Sequence, residues 1–132
     1  MRIGLIGFGA IGRELFRAMA QGGADILCCP AAFTKTTGEA HWHVLNRARA
    51  IENTRFMVSA CSVGPVPGGG ECYGHSLVVA PWGEVLADGV NLPGVVHAQL
   101  DLDQVAAASA RVPSLQHDRP FEIARANERK VA

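Results

Sequence analysis

The chain alternates short apolar runs with amphipathic stretches. Arg2-Ile3-Gly4-Leu5-Ile6 is β-rich and apolar and predicts a buried strand over residues 2–6. Residues 10–21 place Ile11, Leu15, Ala18 and Met19 along one helical face, and Gly22-Gly23 stops that helix. Residues 25–29 form a second apolar run, closed by Pro30. Strand, helix and strand in this order predict a parallel pair joined by a right-handed crossover.

Thr36 and Glu39 have the spacing of a capping box and open a helix that reaches about Asn53. Its pattern turns Leu45, Ala48 and Ile51 inward, with Arg47, Arg49 and Glu52 on a solvated or intersubunit face. Residues 55–61 read as a third strand. Residues 63–74 carry two prolines and Gly68-Gly69-Gly70, and predict a loop. Residues 75–80 and 84–87 flank Pro81-Trp82-Gly83 as a tight hairpin, with Trp82 as its anchor. A further strand is expected over 94–100, and Asp101 caps a short helix ending near Arg111. The reading is an α/β layered domain over residues 1–126, with 127–132 as a disordered tail.

At 132 residues, 48% of them apolar, the chain suits one globular domain. Twelve basic residues balance twelve acidic ones, which removes the electrostatic footprint of a nucleic-acid binder or a polybasic membrane binder. No apolar run approaches the roughly 20 residues that span a bilayer. The first run is interrupted by glycines and followed by Arg13 and Glu14, unlike a signal peptide, so the expected location is cytoplasmic. Cys28, Cys29, Cys61 and Cys72 form neither a disulfide framework nor a Cys-x-x-Cys zinc pair, and read as reduced thiols.

Gly7-x-Gly9-x-x-Gly12 follows one predicted strand and opens one predicted helix, the context of an NAD-binding Rossmann turn. Such a site also needs an acidic residue for the ribose about 20 residues on, where this chain has Cys29-Pro30-Ala31-Ala32-Phe33. Nor does a second βαβ half follow. The alternative is that Gly7, Gly9 and Gly12 only make a tight strand–helix turn.

Two other stretches carry more. Pro30-Ala31-Ala32-Phe33-Thr34 is followed by Gly38-Glu39-Ala40-His41-Trp42-His43-Val44-Leu45 and by Arg47-Ala48-Arg49-Ala50-Ile51-Glu52-Asn53. Tyr73-Gly74-His75-Ser76 and Pro81-Trp82-Gly83-Glu84-Val85-Leu86 come next, in the same order. The pattern resembles the carbon–nitrogen hydrolase (nitrilase/amidase) family, C-terminal half only, over about residues 2–120. The resemblance implies a four-layer αββα sandwich, of which this chain would supply about half. It also implies hydrolysis of small-molecule amides or nitriles by a Glu–Lys–Cys triad, with Glu and Lys lying before the Cys.

Counting back from Glu14-Leu15-Phe16-Arg17 puts Gly7 at the nucleophile position, so no catalytic residue is assigned here. Lys35 and Lys130 are the only lysines, and neither matches the family's catalytic position. Cys61 and Cys72, the latter between Glu71 and His75, are weak substitutes because sequence proximity does not set geometry. Phe33, Thr34, His41 and Trp42 match residues that the resemblance places near the substrate pocket. The competing reading is that Trp42 is core and His41 a helix-end residue. His41 and His43 are two apart on a helix and cannot share one ion, so no metal site is assigned. His75 and Ser76 lack an evident Asp partner in the sequence. Half a sandwich should expose sheet edges and an apolar inner face, predicting self-association, a homodimer through the two helices, or a full-length relative as partner.

Overall fold

A computed structural model describes residues 1–5, 12–117, 119 and 120. The glycine turn at Gly7 and Gly9 and the proposed tail over 127–132 lie outside them. The elements are β1 (Ile3–Leu5), α1 (Gly12–Gln21), β2 (Ile26–Cys28), α2 (Lys35–Asn53), β3 (Phe56–Ser59), β4 (Val63–Pro65), β5 (Glu71–Tyr73), β6 (Leu77–Val79), β7 (Val85–Asp88) and α3 (Asp103–Arg111). A five-stranded sheet runs β1-β2-β3-β6-β7. β1, β2 and β3 are parallel, with Ile3, Ile26 and Phe56 in register, and β6 and β7 join antiparallel.

Successive strand residues face opposite sides of the sheet, and that period sorts the core into two layers. Leu27, Met57, Leu77 and Val79 meet Phe16 of α1 and Trp42 and Ala50 of α2. Ile26 and Phe56 face the other side, where Ala80 and Val105 of α3 close over them. The α/β layering is as expected from the sequence, and Pro81-Trp82-Gly83 does turn a hairpin. Gly83 has φ +92°, where a side chain would be strained, and a Cβ there would lie 2.7 Å from Ile51 Cδ1.

Several local expectations are corrected. On α2 the buried stripe is Gly38, Trp42, Asn46, Ala50 and Asn53, while Ile51 is 46% exposed. Two asparagines sit in that stripe, so an apolar-only pattern points to the neighbouring face. Asn46 bonds the Trp42 carbonyl at 2.8 Å and accepts from the Ser59 hydroxyl, and Asn53 bonds the Arg49 carbonyl at 2.9 Å. Burial is tolerated because each amide is satisfied. On α1 Met19 packs against the core as expected, but the buried residues are Phe16 and Ala20, and Leu15 and Ala18 are exposed.

The Thr36–Glu39 capping box does not form. Thr34 is the N-cap residue, without a side-chain cap bond, and its hydroxyl pairs with that of Thr37 at 2.6 Å. Residues 63–74 are not merely a loop. β4 and β5 pair across a turn, closed by Val66 and Gly70, that gathers the glycines at its tip. Residues 94–100 form no strand. They pass over the second sheet face without ladder bonds, leaving a cleft of about 250 Å³ lined in part by Val58, Val78 and Val95. The inner face is therefore partly covered, with Ile3 58% exposed at the β1 edge. Asp101 does help start α3, accepting from the Asp103 amide at 3.1 Å.

One half-buried cation ties three elements together. Arg55 donates to the carbonyls of Ala20, Ala24 and Thr54 and to the Ser109 hydroxyl, at 2.6–3.1 Å. Burial lowers its pKa, opposed by the Asp25 charge, yet a guanidinium stays protonated in proteins. Replacing Arg55 with Ala would remove the guanidinium donors from the Ala20, Ala24 and Thr54 carbonyls and from Ser109, although the Gly23 amide still donates to Ala20. The expected loss is about 2–4 kcal/mol in a denaturant titration, and a change below about 0.5 kcal/mol would contradict this role.

Candidate functional site

In an open α/β sheet, loops at the carboxyl ends of the parallel strands are the usual place for a ligand. Here β2 runs out through Cys29, Ala31 and Phe33, and β3 through Cys61. The two exits are laced together by the Ala31–Cys61 bridge and by Ser62 N–H donating to the Ala31 carbonyl at 2.9 Å. Thr34 bridges Cys72 of β5, and Tyr73 N–H donates to the Phe33 carbonyl at 2.8 Å. The start of α2 is thereby pressed onto β5. Only glycine fits at Gly38, where a Cβ would lie 2.2 Å from Tyr73 Cγ.

The four pocket candidates differ in exposure. Trp42 is wholly buried, its indole N–H donating to the His75 carbonyl at 2.7 Å. Phe33 is half-buried against it, ring centroids 5.2 Å apart. Thr34 and His41 are exposed at the first turns of α2. Of the glycine fingerprint, Gly12 begins α1 and the other two glycines lie outside the described residues.

No described thiol has the surroundings of a nucleophile. Burial, with Cys28 and Cys61 nearby, pushes the Cys29 thiol up to about 12. Burial also raises Cys28, and it raises Cys61 against the opposing backbone bonds from Phe33 and Gly74. A nucleophilic cysteine needs the reverse, a cationic or helix-terminal setting that stabilises the thiolate. Lys35 pairs with Glu71 at 2.8 Å, in the open, and the hydrogen bond it donates to Glu71 raises the ammonium pKa. Cys72 follows Glu71 on β5 and so faces the opposite side, toward Cys61. Lys35, Glu71 and Cys72 are close in the chain's fold without forming a triad.

The polar cluster that does form was not legible in the sequence. His75 has an Asp partner after all: Nδ1 lies 2.9 Å from Asp88 Oδ1 and 3.1 Å from Oδ2. His43 Nε2 reaches the same carboxylate, 3.0 Å from Oδ2. His75 also stacks on Tyr73, centroids 4.3 Å apart, and meets the His43 ring edge-on at 5.3 Å. Partial burial would raise Asp88, but hydrogen bonds with His43, His75 and the Val90 amide outweigh it and hold the carboxyl below its usual range. Partial burial, then the charges of Asp88 and Glu39, pushes the Tyr73 phenol up. A sequence signal existed only in hindsight: β6 and β7 pair antiparallel, and the register sets Leu77 opposite Asp88.

The fold and these motifs define a class. The chain belongs to the carbon–nitrogen hydrolase family, whose model matches residues 5–110. Among individual relatives it is 46% identical over 107 residues to the human deaminated glutathione amidase, covering 81% of this chain and 33% of that protein. The Synechocystis (strain PCC 6803 / GT-S) protein of the same name is 41% identical over 104 residues, covering 79% of this chain and 38% of the relative. Among solved structures, the C. elegans NitFhit protein superposes with a TM-score of 0.83 at 39% identity, over 89% of this chain and 29% of that one. An amidase from Nesterenkonia sp. AN1, carrying the acetamide moiety of fluoroacetamide on its active-site cysteine, gives 0.71 at 27% identity, over 89% and 41%. The chain thus spans little more than a third of the length of the curated relatives it matches. No helix among the described residues is long and apolar enough to cross a membrane.

The thiol assignment has a direct test. At pH 8 Cys29 stays protonated and buried, so iodoacetamide should label it at least about tenfold more slowly in the native chain than in urea. Peptide mapping gives the rates, and equal labelling in both states would contradict the burial described.

Proposed function

We propose that this chain corresponds to the C-terminal half of a carbon–nitrogen hydrolase and that, by itself, it hydrolyses neither amides nor nitriles. The observation that carries this reading is the residue at the nucleophile position. A cysteine there would add its sulfur to the amide carbon, the carbon–nitrogen bond would break as the amine leaves with a proton, and water would then hydrolyse the thioester. Gly7 has no side chain to form the new bond. The buried, proton-retaining thiols of Cys29 and Cys61 do not replace it.

The relatives' name makes an amide of the deaminated glutathione type the substrate class of the framework. Phe33, Thr34 and His41, with Trp42 packed behind them, would line one side of that pocket once a second half stands opposite. A second copy or a full-length relative is the partner such a half requires. Leu15 on α1 and Val44 and Ile51 on α2, 43%, 66% and 46% exposed, supply apolar surface for that association. The dinucleotide reading gains no support, because β2 ends at Cys28 and is followed by buried Cys29, with no carboxylate to hold a ribose.

The purified chain and its Gly7→Cys variant should both leave deaminated glutathione intact, as read by mass spectrometry of the products. The variant restores sulfur but neither the Glu that takes its proton nor the Lys that stabilises the anion. Turnover by either protein above a no-protein control would overturn the reading.

A further inference from the structure

Three side chains from three separate elements converge on one face of the domain. His43 comes from the third turn of α2, His75 from the link between β5 and β6, and Asp88 from the end of β7. Their ligand atoms all lie within 4.8 Å of one another. The geometry points to a divalent transition-metal site, of zinc type, held by His43 Nε2, His75 Nδ1 and Asp88 Oδ2.

The contacts of the carboxylate support this. Oδ1 is held by the Val90 amide at 2.8 Å, which fixes the orientation of the group. Oδ2 reaches both imidazoles, 3.0 Å from His43 Nε2 and 3.1 Å from His75 Nδ1, while His75 Nδ1 also lies 2.9 Å from Oδ1. Zinc bonds nitrogen and carboxylate oxygen at about 2.0–2.2 Å, so tetrahedral donors stand roughly 3.3–3.5 Å apart. The nitrogen–oxygen separations are therefore short of that spacing by only a few tenths of an ångström, and small χ rotations open them. Two imidazoles and one carboxylate are a donor set suited to zinc and its neighbours rather than to calcium or magnesium.

The surroundings behave as the outer shell of a metal site does. His75 is set by the stack on Tyr73 and by its backbone, whose carbonyl accepts from Trp42 and whose amide donates to the Val90 carbonyl at 2.6 Å. His75 has φ +54°, a left-handed conformation uncommon for a side-chain-bearing residue. The three side chains are 34%, 23% and 29% exposed, so a fourth coordination position opens to solvent for water or a small anionic ligand. Coordination needs each ring proton on the far nitrogen, Nδ1 of His43 and Nε2 of His75. The ion would thus replace the contacts that the two imidazoles make with Asp88, with no other partner displaced among the described contacts.

Calorimetric titration of the 132-residue chain with zinc chloride in a non-chelating buffer tests the site. The expected result is one ion per chain with a dissociation constant below about 10 μM. Cobalt should give the visible absorption of a low-symmetry, four-coordinate ion. His43→Ala and Asp88→Asn should each weaken zinc at least about tenfold, as loss of one ligand in three requires. His41→Ala, on the same helix but outside the cluster, should leave binding unchanged. Because Asp88→Asn could loosen β7, each variant is first matched to the parent by circular dichroism, and His43→Gln replaces any that fails. No saturable binding by the parent, or less than tenfold weakening in folded variants of either residue, would overturn the assignment.

Discussion

The structure hangs on the burial of one stripe of α2 against the sheet. Trp42, Asn46 and Ala50 repeat at intervals of four, so one helix face meets β3 and β6 while also touching α1. Burying a tryptophan removes a large apolar area from water, of the order of several kcal/mol before entropy is counted. It also creates a demand, because the indole N–H must find an acceptor, and the His75 carbonyl supplies it. That single bond sets the backbone of the turn into β6. From it follow the position of the His75 ring, its stack on Tyr73 and its approach to Asp88. The polar cluster is thus a downstream result of core packing.

The broad layout was legible from the sequence because it rests on strong local signals. Strand runs closed by Pro30, the helix stop at Gly22-Gly23 and the Pro81-Trp82-Gly83 turn each act within a few residues, and each has its counterpart in the fold. The helix faces were not, because Asn46 and Asn53 are polar residues doing a core residue's packing. Their amides are satisfied by i−4 carbonyls and by Ser59, a compensation invisible to a hydrophobic pattern. Residues 94–100 look like a strand by composition but form no ladder among the described residues, since ladder formation is decided by neighbours and not by propensity.

The candidate chemistry divides along the same line. The expectation of Gly7 at the nucleophile position came from order and spacing alone, since it concerns one position in a motif. The His43, His75 and Asp88 cluster could not, because it joins residues 13 and 45 positions apart in sequence. Family membership accounts for the framework and its motifs.

The central claim is that these residues form one cooperative α/β unit organised by the α2 stripe. Native-state hydrogen exchange on the purified chain tests it most directly. Amides of β2, β3 and β6 and of the buried α2 positions should exchange last, together, and with a common denaturant dependence. The β4–β5 hairpin should open earlier, because its strands lie outside the main sheet. If the α2 and β3 amides exchange as fast as those of that hairpin, the stripe does not hold the fold together and the account is wrong.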